Sequence, residues 1–188
     1  MARTIRWLML ILALSAAVVA GVGLLLPTTW SVERAVTVRA SPAVVAELVG
    51  DFRLWQRWAL WTKDFDPTVE VDFEGRGPGA IYRWRGDAMG HGLLRTKELD
   101  PARGHWFEGE IDGDRVNLQG AITYAPARGG TRVIWQNQGD ISGRPIGGYF
   151  VRSLEHTTAR QMELSLKKLK QEAETRTATI ARTSSAAR

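Results

Sequence analysis

The chain of 188 residues contains no cysteine. That excludes a disulfide framework, a thiolate metal site and a catalytic thiol. Histidine is scarce as well. His91, His105 and His156 lie far apart, without the spacing that metal sites use, so no metal and no other cofactor is expected. No Gly-x-Ser-x-Gly elbow marks a hydrolase nucleophile. The run at 75–79 lacks both the dinucleotide glycine spacing and a Lys-Ser/Thr ending, and Pro78 removes a backbone donor. It reads as a hairpin turn. Glu108, Glu110, Asp112 and Asp114 alternate through a strand and turn, the pattern of a solvated face, and no catalytic residue is assigned.

A net charge of +5 invites a nucleic-acid reading until the charges are placed. Arg3 and Arg6 stand without an acid in residues 1–26, and Arg176, Arg182 and Arg188 stand without one in residues 175–188. These five account for the whole excess, so the remainder is balanced and offers no phosphate-binding face. No nucleic-acid partner is expected.

What the chain has in quantity is tryptophan, eight residues of it, and one long apolar run. Residues 5–26 carry no charge except Arg6 near the leading end. At 1.5 Å per residue this segment reaches about 33 Å, enough to cross a hydrocarbon core of about 30 Å. Arg3 and Arg6 at its leading end place residues 1–4 in the cytoplasm and the domain on the far side, as a single-pass protein of the inner membrane. The alternative is a signal peptide cleaved after Val18-Val19-Ala20, which yields a secreted domain. An anchor is favoured, because cleavage would leave the apolar residues 21–26 as a new terminus. Residues 27–31 read as a short linker, with Trp30 at the membrane interface.

Val32, Val36 and Val38 alternate as a first strand, with Arg34 in the same phase at its open end. Ser41 then caps a helix and Pro42 occupies its first position. Gly50-Asp51 breaks that helix. Trp55, Trp58 and Trp61 follow at i, i+3, i+6 on one side of a helical turn, which needs a larger concave surface to receive them. Further strands are read near 68–74, 80–85, 92–99, 105–111, 116–124 and 131–138, divided by Gly- and Asp-rich turns. Ser142-Gly143-Arg144-Pro145 launches a last helix over 146–174. Its stripe of Val151, Leu154, Thr158, Met162, Leu166, Leu169 and Ala173 has helical spacing. Residues 175–188 have almost no bulky apolar residue and are expected to be a disordered basic tail.

Several short motifs recur in order. They are residues 36–42, Asp51 with Trp55 and Trp58, Gly79-Ala80 with Tyr82 and Trp84, and Met89-Gly90-His91-Gly92. Gly130-Thr131-Arg132-Val133 with Trp135 and residues 166–170 complete the series. Together they make residues 32–174 resemble the polyketide cyclase/dehydrase and lipid transport family of the START-like, or SRPBCC, superfamily. The resemblance implies an α+β helix-grip fold, as in Bet v 1. In that fold a curved antiparallel sheet of about six to seven strands is closed by the C-terminal helix, here with the N-terminal transmembrane helix in addition.

Such a fold implies an interior that is either hollow or filled. If it is hollow, the expected lining is Trp58, Tyr82, Trp84, Phe107, Trp135 and Asn137 from the first helices and the sheet, with Val151, Leu154 and Thr158 from the last helix. Asn137 shares the phase of Trp135, so it is either a strand-end residue or a group facing a ligand. The resulting expectation is a membrane-tethered module for a hydrophobic or amphipathic small molecule, a lipid among them. One alternative is a cyclase/aromatase-like enzyme, with Tyr82, His91 and Asn137 as donors. The other is a non-catalytic scaffold in an envelope complex.

Overall fold

The computed structural model describes every residue except Met1, Asp114, Ser142, Arg144, Ala187 and Arg188, and the side chains of all of these but Ala2 and Ala186. Two parts of the sequence reading, the turn at Asp114 and the Ser142–Arg144 start of the last helix, fall partly outside the described residues. The chain opens with α1 (Ala2–Leu25), an apolar helix exposed over almost its whole length. Leu26, Pro27 and Thr28 are all that separate it from β1 (Thr29–Val38). Thr28 is buried. Its carbonyl accepts from the Ile141 amide at 3.0 Å, and its hydroxyl bonds Asp140 at 2.6 Å.

The expected linker over 27–31 is therefore shorter, and the first strand starts three residues before Val32. The reason is Trp30, whose polar neighbours mask a strand phase. Trp30 is 4% exposed and pairs with Gly139, so it belongs to the core and not to a membrane interface.

Helices α2 (Pro42–Gly50) and α3 (Phe52–Trp55) follow, each with its cap. The Ser41 hydroxyl accepts from the Val44 amide, and the Asp51 carboxylate accepts from the Arg53 amide at 2.9 Å. Strands β2 (Glu70–Glu74), β3 (Ile81–Gly86), β4 (Gly90–Asp100), β5 (Gly104–Ile111), β6 (Val116–Ala127) and β7 (Gly130–Ile141) complete one antiparallel sheet. Its seven strands run in the order β1-β7-β6-β5-β4-β3-β2, so the first and last strands in sequence are neighbours. A register shift between Thr96 and Glu98 bends β4. Asp66 ties the loop before β2 to the β3–β4 turn. It accepts from the hydroxyl and amide of Thr68 and from the amides of Ala88 and Met89, and these bonds hold its pKa below the usual carboxylate range.

The long helix α4 (Gly147–Ala186) closes the sheet, as the helix-grip fold requires. Met162, Leu166, Leu169 and Ala173 are buried in the same core as Trp58 and Trp135. Arg34, which was placed at a strand end, instead meets Glu163 of α4 at 2.6 Å from the core-facing phase of β1. The Lys170 ammonium donates to the Thr37 carbonyl at 2.7 Å.

Helix α4 does not stop at 174. Residues 175–186, expected to be disordered, continue it. The segment has no Gly or Pro to end a helix. Arg176 pairs with Glu47 of α2 at 2.7 Å and with Glu172 at 3.1 Å, which fixes the first added turn.

Gly120 of β6 is set by packing. A Cβ there would lie 2.2 Å from the Phe107 ring and 2.6 Å from the Asn137 side-chain oxygen. Gly120→Ala is expected to lower stability by about 1–3 kcal/mol, because it displaces a ring with no room to move. Urea denaturation checks this, and an unshifted midpoint would show that the Phe107 ring has space.

Candidate functional site: an aromatic core and a hollow beside the first strand

The residues expected to line a cavity pack against one another. The Trp58 and Trp135 rings lie 5.7 Å apart and Tyr82 and Trp84 5.6 Å apart. Phe107 meets Trp55 edge-on at 5.3 Å. Trp58, Tyr82, Phe107 and Trp135 are at most 2% exposed. Phe52, Trp55 and Trp61, absent from the expected lining, sit among them, with Trp61 stacked on Trp84 at 5.6 Å and 8°. Asn137 has a partner inside the protein, since its side-chain oxygen accepts from the Trp135 indole at 2.9 Å. Val151, Leu154 and Thr158 are half-buried on the first half of α4.

Two of the indoles have a backbone role. The last carbonyls of a helix have no partner within it. In α2 those of Leu48 and Val49 are buried, and they accept from Trp58 at 3.0 Å and Trp55 at 2.8 Å. The Val49 carbonyl also lies 2.9 Å from His105 Nδ1 of β5. A carbonyl can only accept, so neutral His105 carries its proton on Nδ1. Its Nε2 then accepts from the Thr96 hydroxyl at 2.8 Å. Burial pushes the His105 pKa below its ordinary value, and the bond to Val49 opposes that only in part. The sequence reading missed His105. Its signal was the shared strand phase with Phe107.

Among the described residues three hollows stand out. One, about 790 Å³, lies where β1 begins and β7 ends. Trp30, Leu93 and Leu118 form its apolar wall, and Arg95, Glu108, Glu110, Asn117, Gln119, Gln138, Asp140 and Glu155 its polar one. Most of these alternate with core-facing neighbours such as Leu94, Phe107 and Asn137. The hollow thus draws mostly on the outward phase of the sheet, with Trp30 and Leu118 from the core-facing phase and Glu155 from α4. A second, of about 420 Å³, borders β2–β4 at Val71, Trp84 and His91. The third, about 510 Å³, borders Gln56, Thr62 and Val69. Of the nine expected lining residues, Trp84 alone borders one of these three. No group of three metal-binding side chains occurs among the described residues.

A family model described as polyketide cyclase / dehydrase and lipid transport matches residues 29–174. The chain belongs to this family. Solved structures share the fold at low identity. A Staphylococcus aureus protein of unknown function has a TM-score of 0.63 at 15% identity, with 81% of this chain and 98% of that one covered. A Chromobacterium violaceum protein has 0.56 at 17%, covering 77% and 96%. The di-domain ARO/CYC StfQ of the steffimycin biosynthetic pathway has 0.61 at 14%, covering 79% of this chain and 52% of StfQ. No curated protein sequence is significantly similar to the chain.

The family name raises the question of cyclase-like donors. Tyr82, His91 and Asn137 each have partners of their own. The Tyr82 hydroxyl is held by Gln56 and the Trp61 carbonyl, and burial pushes its pKa up to about 12. His91 is exposed beside Asp112, while Asn137 is spent on Trp135.

The buried imidazole makes stability depend on pH. The unfolded chain takes up a proton on His105 as pH falls below about 6.5, whereas the folded chain resists it. Its contribution is therefore complete above that pH and declines below it. Thermal melts are expected to fall from pH 7 to pH 5. His105→Gln is expected to melt lower at pH 7 and to lose that part of the slope. An identical slope in the variant would assign it to other groups.

Proposed function

We propose that this family member is a membrane-tethered, ligand-binding domain of the SRPBCC superfamily that holds an amphipathic small molecule, a lipid among them. The observation that carries the reading is the 790 Å³ hollow beside the start of β1, three residues from the end of the apolar helix. Its volume falls within the range of small-molecule sites, about 300–1,000 Å³. Its wall joins Trp30, Leu93 and Leu118 to carboxylates, amides and Arg95, a division that suits a molecule with one apolar and one polar part. The close packing of the buried rings on one another supports placing the ligand here and not among them.

The tether is α1, with its 23-residue apolar span Arg3–Leu25. Arg3 and Arg6 favour a cytoplasmic N-terminus and a domain on the other side. The mass of the mature chain separates the two fates of α1. An intact chain in the membrane fraction supports the anchor, and a chain beginning near Gly21 supports cleavage.

The site is tested by filling it from the outward phase. Gln119 and Gln138 are exposed partners across β6 and β7, and both border the hollow. The double variant Gln119→Trp, Gln138→Trp leaves the core untouched. Native mass spectrometry of the full chain is expected to find a bound small molecule that the double variant loses. Equal occupancy in both proteins would move the site elsewhere.

A further inference from the structure

The start of α4 lies directly against the end of α1. A Cβ on Gly23 would fall 2.0 Å from the Pro145 carbonyl oxygen, so the two backbones touch there. A Cβ on Gly148 would fall 2.6 Å from Leu26. The Tyr149 hydroxyl reaches down α1 and donates to the Val19 carbonyl at 2.8 Å. Val19 lies six residues before the end of α1, a rise of about 9 Å. Around this contact Ile146, Tyr149 and Phe150 are 60%, 44% and 57% exposed. They follow the i, i+3, i+4 spacing of one helix face. Three large apolar residues left open on one turn call for a cover.

We propose that Ile146, Tyr149 and Phe150 form a shallow wedge in the leaflet that α1 leaves, with lipid as their cover. The inference rests on the reading of α1 as an uncleaved span. Continuity with that span picks the occupant. If Leu25 marks the hydrocarbon boundary, the Val19 carbonyl lies about 9 Å inside it, and the Tyr149 ring reaches below the headgroups with its hydroxyl satisfied by that carbonyl. The first turn of α4 is prepared for such a place. The Gly147 amide donates to the Gly143 carbonyl and the Tyr149 amide to the Ile146 carbonyl, so these groups need no water. Exposed Arg152 follows, where a cation meets headgroups. With the span and the wedge both seated, the domain cannot swivel on its short linker, and the hollow beside β1 stays next to the bilayer.

The chain has no cysteine, so single labels are simple to place. Ile146→Cys, Phe150→Cys, Leu12→Cys and Lys97→Cys would each carry a nitroxide in the full chain, reconstituted in phosphatidylcholine/phosphatidylglycerol vesicles. Collision with oxygen reports hydrocarbon, and collision with a water-soluble nickel chelate reports water. The expected result is oxygen-dominated relaxation at 12, 146 and 150 and chelate-dominated relaxation at 97. Adding Gly23→Val, which cannot seat Pro145, is expected to shift 146 and 150 towards the chelate and leave 12 unchanged. Positions 146 and 150 in water with 12 in hydrocarbon would overturn the wedge and leave the anchor standing. Shielding of 146 and 150 from both reagents would overturn it in favour of a protein cover, a second copy included. Position 12 in water would remove the anchor and the wedge together.

Discussion

The carbonyl end of α2 is the constraint on which the interior depends. It is buried, and each unpartnered carbonyl there would cost about 1–3 kcal/mol. Trp58, Trp55 and His105 supply the donors. The two indoles fold the chain after Asp51 back on the helix it has just left. The imidazole joins that unit to β5, and Thr96 extends the link to β4. Two helices and two strands are thereby held by a chain of buried hydrogen bonds, and the rings that donate them also fill the space around it.

That solution has a consequence for function. An interior built of stacked and edge-on rings, with Asn137 turned to Trp135, uses its polar groups to hold itself together. The hollow with both apolar and polar walls lies at the end of the sheet next to α1. Helix α4 holds the sheet through its buried stripe. Its ion pairs to Arg34 and Glu47 lie at the rim, where each adds little on its own.

The parts legible beforehand were those with local causes. Ser41-Pro42 announces a helix start from any surroundings, and the stripe from Met162 to Ala173 announces a buried helix face. The ordered motifs from Val36 to Leu169 carried the family and with it the sheet and closing helix. Trp30 was not legible as core, because threonine and serine flank it and a tryptophan near an apolar span has another ready explanation. The partner of Asn137 lies two residues away on the same face, but the contact exists only once the strand is extended. The turns beyond residue 174 were misread because composition cannot show that Glu47 waits beside Arg176.

By itself, then, the sequence determined the order of the strands and main helices, the buried stripe of the last helix and the apolar leading helix, since each follows from periodicity, capping or length within a few residues. Only the tertiary structure decided how the rings packed on one another, which carbonyls the indoles answered and where the hollow beside β1 lay. Those outcomes depend on atoms from distant segments competing for the same volume, and no local pattern records which of them wins.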